Sequence, residues 1–213
     1  MYDNEIIDYT LKLLIVGDTC VGKTTYFNKI QNNKAYFSGS TIGVDFTKMY
    51  YTINNKHVKV IVWDTAGQER YNSIVRNYFR DTCGIILMFD VSNPDTCNKL
   101  EDWLKILAYD NKCSHKHPIL LLGNKSDLQN RINMDEIDRL IQEYKVIYRE
   151  ISCKTDVQHH LEEIFTSFIG KIIDGDHVED CCGIKGVVDN SRYITLNKKY
   201  NEISKSKKCC NIV

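Results

Sequence analysis

The run Gly17-Asp18-Thr19-Cys20-Val21-Gly22-Lys23-Thr24 sets two glycines and a Lys-Thr pair at the spacing G-x-x-x-x-G-K-T. It lies between an apolar run and a helix-like stretch, the context in which this spacing binds phosphate. Successive backbone N–H groups of such a loop point inward and meet the positive end of the following helix, forming a nest for phosphate oxygens. Lys23 is placed to reach the β- and γ-phosphates, and the Thr24 hydroxyl to bind Mg²⁺, with Thr25 next along the helix. By itself the loop implies only a nucleotide.

The base is chosen further along. Asn124-Lys125-Ser126-Asp127 follows an apolar run that reads as a strand, and an open α/β sheet places ligands at that end of its strands. An Asp127 carboxylate can accept hydrogen bonds from both N1–H and the exocyclic amine of guanine; adenine offers no such donor pair. Asn124 can bond the base or brace the loop, and the Lys125 stem can cover the ring. Ser152-Cys153-Lys154, after a last short strand, can direct a backbone N–H at the guanine carbonyl. An isolated Asn-Lys-x-Asp is an ordinary solvated loop; the phosphate loop upstream gives it meaning.

Trp63-Asp64-Thr65-Ala66-Gly67-Gln68 supplies the reactive end. Asp64 is expected to hold Mg²⁺ through water, the Gly67 N–H to contact a γ-phosphate, and Gln68 to orient the attacking water. Thr41 is expected to complete the Mg²⁺ coordination only when a γ-phosphate is present. Lys23, Gly67 and Gln68 are thus the expected catalytic groups.

These residues need a scaffold, and the periodicity describes one. Tyr9 to Val16 is an apolar strand ending at Gly17, and Gly22 to Gln31 reads as a helix. Residues 45–53 and 57–63 read as strands around a turn at Asn54-Asn55-Lys56. Cys83 to Val91 and Pro118 to Gly123 are continuous apolar runs of strand length, as expected of strands covered on both faces. Leu100, Trp103, Leu104 and Leu107 form one helical stripe; Ile137, Leu140, Ile141 and Tyr144 form another. Leu161, Ile164, Phe165, Phe168, Ile169 and Ile172 form a third. Val146 to Ser152 is the last strand. Alternating strands and helices imply an α/β fold with a mostly parallel sheet, and the early hairpin adds one antiparallel strand.

Composition limits the rest. The formal charge is zero, with 28 basic and 28 acidic residues, so no electrostatic case exists for a nucleic-acid partner. No apolar run is long enough to cross a bilayer, and the acidic start shows no signal-peptide pattern. The nine cysteines show no metal-ligand spacing and read as reduced thiols. Residues 1–8 read as an N-terminal extension, 9–174 as the domain and 175–213 as a flexible tail. The tail holds Lys198, Lys199, Lys205, Lys207 and Lys208 against a single Glu202, and closes on Cys209-Cys210-Asn211-Ile212-Val213.

With these elements in order, residues 9–174 resemble a small GTPase of the Ras superfamily, the G-domain form of the P-loop NTPases. The resemblance implies a six-stranded sheet with about five helices and two γ-phosphate-dependent switches over about 33–46 and 67–80. Ile42-Gly43-Val44-Asp45-Phe46, Trp63 to Arg70, Asn72-Ser73-Ile74, Tyr78-Phe79-Arg80 and Ile85 to Ser92 are similar to Rab signatures. Phe46, Trp63 and Tyr78 match the aromatic triad that Rab proteins present to effectors. The resemblance implies GTP/GDP with Mg²⁺ and a monomer that recruits effectors in vesicle trafficking. It also implies an exchange factor, a GTPase-activating protein, a prenylation escort and a GDP-dissociation inhibitor. Cys209 and Cys210 resemble double-cysteine ends that carry geranylgeranyl groups, placing the protein on the cytoplasmic face of membranes with a cytosolic pool. Two lipid chains give stable attachment where one is marginal, and the lysines add attraction to anionic lipid.

The sequence departs from the family at Thr19 and Cys20, the latter where glycine or alanine is usual, and at Cys153, where alanine is usual. The Thr24-to-Thr41 spacing is one residue short, and Tyr36 is chosen over Phe37 to stack on guanine. Thr19 and Cys20 also motivate a second reading, a GTP-locked tether that hardly hydrolyses. A small-molecule kinase is a third, opposed by Asp127 and the Asp64–Gln68 run.

Overall fold

In a computed structural model, residues 4–32, 44–65, 81–109, 117–175, 187–189 and 194–195 are described. Nine strands and five helices lie among them. They are β1 (Asn4–Ile6), β2 (Tyr9–Gly17), α1 (Lys23–Asn32), β3 (Val44–Ile53), β4 (Lys56–Thr65) and β5 (Gly84–Asp90). There follow α2 (Pro94–Asn98), α3 (Leu100–Tyr109), β6 (Ile119–Asn124), α4 (Met134–Tyr144), β7 (Ile147–Glu150), α5 (Gln158–Ile173), β8 (Val187–Asp189) and β9 (Ile194–Thr195).

The main sheet runs β7-β6-β5-β2-β4-β3-β9. Its pairings are parallel except β3 with β4, so the expected six strands with one reversed are present. β9 extends the edge by pairing in parallel with Tyr51 and Thr52. Separately, β8 pairs antiparallel with β1, joining Asn4–Ile6 to Val187–Asp189. β1 lies in the segment read from sequence as an extension, and β8 and β9 lie in the segment read as a tail.

The β2, β5 and β6 runs are apolar because both faces of the sheet are covered. Side chains alternate along a strand, so Leu11, Leu13 and Ile15 join one core with Ile86, Met88, Leu120 and Leu122. That core also takes Tyr26 and Ile30 of α1 and Leu161, Phe165, Phe168, Ile169 and Ile172 of α5. Leu14, Val16, Ile85, Leu87, Phe89 and Leu121 face the other way. They pack with Leu100, Trp103, Leu104 and Leu107 of α3 and Ile137 and Leu140 of α4. The three helical stripes read from sequence are the buried stripes of α3, α4 and α5.

Local chemistry sets the joints. Asn54 and Asn55 have φ of 52° and 60°, and Ile53 pairs with Lys56. Two positive φ values make the two-residue type I′ turn whose twist suits a hairpin, and asparagine tolerates that region better than most residues. Asn93 caps α2 by accepting from the Asp95 N–H at 3.1 Å, with Pro94 entering the first turn. Asn133 caps α4 in the same way.

Candidate phosphate and base site

All the parallel strands end on the same side, and that alignment assembles the site. Ile15 pairs with Asp64, Gly17 with Met88, Asp90 with Asn124 and Gly123 with Glu150. The loops leaving β2, β4, β5, β6 and β7 therefore converge at one edge, where doubly wound sheets hold ligands.

The first of these loops needs its glycines. Gly17 has φ of 139°, and a Cβ there would stand 2.1 Å from the Met88 carbonyl oxygen. Gly22 has φ of 103°, and a Cβ there would stand 2.3 Å from Asn124 Nδ2. Neither position admits a side chain. Cys20 adopts φ of 63° without being glycine, and it is exposed. The loop closes into α1, with the Tyr26 N–H donating to the Gly22 carbonyl at 2.9 Å.

Lys23 folds back over this loop. Its buried ammonium donates to the carbonyls of Gly17 at 2.9 Å and Asp18 at 2.7 Å. Burial lowers its pKa to about 8, opposed by the nearby carboxylates of Asp64 and Asp18. One residue on, the Thr24 hydroxyl donates to Asp64 Oδ2. A hydroxyl and a carboxylate in contact are hard oxygen donors, the set Mg²⁺ takes while leaving room for water and phosphate oxygens. Among the described residues no cluster of three or more His, Cys, Asp or Glu side chains offers an all-protein metal cage.

Asn124 joins the phosphate and base loops. It is 2% exposed, donates through Nδ2 to the Val21 carbonyl at 2.7 Å and accepts the Cys153 N–H on Oδ1 at 3.0 Å. These two hydrogen bonds are the loop-bracing contacts that its position in the sequence allows. The Cys153 N–H therefore goes to Asn124, and the Lys154 N–H goes to Ser152 Oγ at 3.2 Å. Burial pushes the Cys153 thiol up to about 12, making it a small apolar group. Lys125, with φ of 66°, sends its ammonium to Asp90 Oδ2 at 2.7 Å. Burial would raise the Asp90 carboxyl, but hydrogen bonds from Lys125 and Ser92 outweigh it and hold the group below its ordinary value. Asp127 accepts the Ser152 hydroxyl on Oδ1 at 2.6 Å, with the Lys154 ammonium 3.8 Å from Oδ2.

Residues that sequence reasoning passed over hold these loops from behind. Lys29 of α1 is buried and donates to the carbonyls of Cys153 at 3.0 Å and Lys154 at 3.3 Å. Asp156 accepts the Ser152 N–H at 2.8 Å. Lys99, between α2 and α3, pairs with Asp18 Oδ2 at 2.8 Å. A lysine inside a helical pattern looks solvated, and only the long-range fold sets Lys29 under a loop more than a hundred residues away.

On the outer face of the β3–β4 hairpin, Phe46 is 53% exposed, with its ring centroid 5.7 Å from that of Trp63. The ammonium groups of Lys12 and Lys48 stand 5.3 and 5.7 Å from the Trp63 and Phe46 rings. Val44 and Asp45 belong to β3 by backbone. Tyr36, Thr41, Ile42, Gly43, Gly67, Gln68, Tyr78, Cys209 and Cys210 lie outside the described residues.

Comparison with known proteins agrees with this geometry. A model of the Ras family matches residues 12–174. The chain is 34% identical over 171 residues to the Ras-related protein Rab-13 of Rattus norvegicus, covering 78% of this chain and 81% of that protein.

Proposed function

The chain belongs to the Ras family as a Rab-type GTPase, and we propose that it is a Mg²⁺-dependent switch that recruits effectors while bound to GTP. The carrying observation is the convergence of the Lys23 ammonium, the Thr24–Asp64 pair and the Asn124–Asp127 and Ser152–Lys154 loops on one edge of the sheet.

In this reading the loop N–H groups and Lys23 hold the phosphates, and Asp127 selects guanine. Thr24 and Asp64 hold Mg²⁺, joined by Thr41 when the γ-phosphate is present. Held there, Mg²⁺ would supply positive charge to the phosphate oxygens. Gln68 orients water against the γ-phosphate while the Gly67 N–H contacts it. Loss of that phosphate releases Thr41 and Gly67, and with them the surface around Ile42–Phe46, Trp63 and Tyr78. No arginine within the chain is assigned to the transition state, so intrinsic turnover is slow and an activating protein raises it by about 10³–10⁵-fold. Lipid on Cys209 and Cys210 attaches the switch to membrane. No helix among the described residues is long and apolar enough to cross one.

The test is Gln68→Leu: guanine-nucleotide binding is retained and single-turnover hydrolysis largely lost. Equal turnover in mutant and wild type would remove Gln68 from its role. A GTP-locked tether is the second reading, favoured by Cys20 in a left-handed loop position that suits glycine. Hydrolysis that an active Rab GTPase-activating protein fails to stimulate would select it.

A further inference from the structure

The phosphate loop carries its own competitor for phosphate. Asp18, the second residue of the loop, already accepts the Thr19 N–H on Oδ1 at 2.9 Å, while its carbonyl accepts the Lys23 ammonium. Its carboxylate also acts electrostatically on Lys23. A carboxylate so placed draws on the donors that a phosphate needs and repels the phosphate itself. Its side chain is only 13% exposed, so water screens it weakly.

The other Asp18 oxygen is taken from outside the loop. Lys99 Nζ donates to Oδ2 at 2.8 Å from the junction where α2 ends and α3 begins. This junction is tied down. Thr96 Oγ1 donates to the Asn93 carbonyl at 2.8 Å and accepts the Asp90 N–H at 3.1 Å, fixing α2 on the end of β5. The Lys99 carbonyl accepts the Trp103 N–H as α3 starts. The ammonium is thus presented from a platform anchored to the sheet, and it takes the Asp18 carboxylate while Lys23 takes the Asp18 carbonyl.

We propose that Lys99 is a positioning residue for the phosphate loop, holding and neutralising the Asp18 carboxylate so that Lys23 and the loop N–H groups serve the nucleotide phosphates. The proposal rests on the phosphate-site reading above. Lys99 acts through Asp18 and does not itself touch nucleotide. Because a carboxylate without that ammonium repels phosphate charge, loss of Lys99 weakens GTP, with its additional phosphate charge, more than GDP.

The test compares Lys99→Ala, Lys99→Arg, Asp18→Asn and the Asp18→Asn/Lys99→Ala pair in the full-length protein, with melting temperature measured for each. Dissociation constants for GTP and GDP are measured in Mg²⁺. A partly exposed ion pair corresponds to a change of roughly two- to fivefold, so Lys99→Ala is expected to lose about that factor for GTP and less for GDP. Lys99→Arg keeps the wild-type GTP-to-GDP ratio. In the Asp18→Asn background, Lys99→Ala produces no further change in the ratio. An unchanged ratio in Lys99→Ala overturns the proposal, as does the same loss with and without the Asp18 carboxylate. A merely structural lysine would weaken both nucleotides together. Wild-type protein with no guanine-nucleotide affinity would instead refute the underlying site reading, a result visible before any variant is made.

Discussion

Removing the Asn124 side chain tests how firmly the two halves of the nucleotide site are joined. Asn124→Ala deletes a donor to the Val21 carbonyl and an acceptor from the Cys153 N–H. The site is 2% exposed, and water reaches the two abandoned groups poorly. Each buried polar group left without a partner costs about 1–3 kcal/mol, so the pair amounts to about 2–6 kcal/mol. That is a large share of the roughly 5–15 kcal/mol holding an ordinary domain together. Urea unfolding at saturating GDP and Mg²⁺ reads the loss as a lower midpoint with an unchanged slope. Because the strut links phosphate loop to base loop, GDP dissociation also accelerates. A loss below about 1 kcal/mol together with an unchanged GDP dissociation rate would show that the loops are positioned independently of Asn124.

Three other perturbations are informative. Cys20→Gly places the residue best suited to positive φ at 63°, and relief of about 1 kcal/mol raises Tm by about 2–4 °C. An unchanged or lower Tm means the loop holds no strain at Cys20. Lys23, lowered by burial to about 8, is neutral in much of the nucleotide-free protein above that pH, whereas phosphate binding requires the ammonium. Nucleotide binding should therefore take up a proton increasingly as pH rises past 8, measured by calorimetry in buffers of different ionisation enthalpy; no pH-dependent uptake refutes it. Glu162 is 7% exposed, its Oε1 is buried without a hydrogen-bond partner among the described residues, and burial raises its pKa. A carboxyl raised above its unfolded value penalises folding once ionised. Glu162→Gln thus raises Tm at pH 7.5, and the gain vanishes as pH falls below the ordinary value near 4.5; a gain that persists at low pH assigns it to packing instead.

The sheet was legible because its strands are covered on both faces and so read as plain apolar runs, and α3, α4 and α5 because each buries one stripe. The short α2 was missed: five residues give no periodicity, and its only marks are Asn93 and Pro94. That omission hid Lys99, whose partner is brought near only by the packing of α2 against β5. The candidate site groups at the loop edge of the sheet were visible through spacing alone, since Gly17, Lys23, Asp64, Asn124 and Asp127 sit at fixed offsets from strand ends. The struts behind them were not, because Lys29 and Asp156 are ordinary residue types whose work depends on distant partners. Asn124 lies between these cases: its position was plain, but its contacts to Val21 and Cys153 depend on two distant loops meeting.

β9 has a consequence for leash length. If lipid is carried at Cys209 and Cys210, the cord that matters runs from the last point at which the chain is fastened. Measured from the end of α5, residues 173 to 209 extend at most about 130 Å. Fastened beside Tyr51 and Thr52, a chain of the length from 195 to 209 reaches at most about 50 Å. Two backbone pairs would thus more than halve the height at which the domain rides above a bilayer, and would make the β3 margin, rather than the foot of α5, the point from which it hangs.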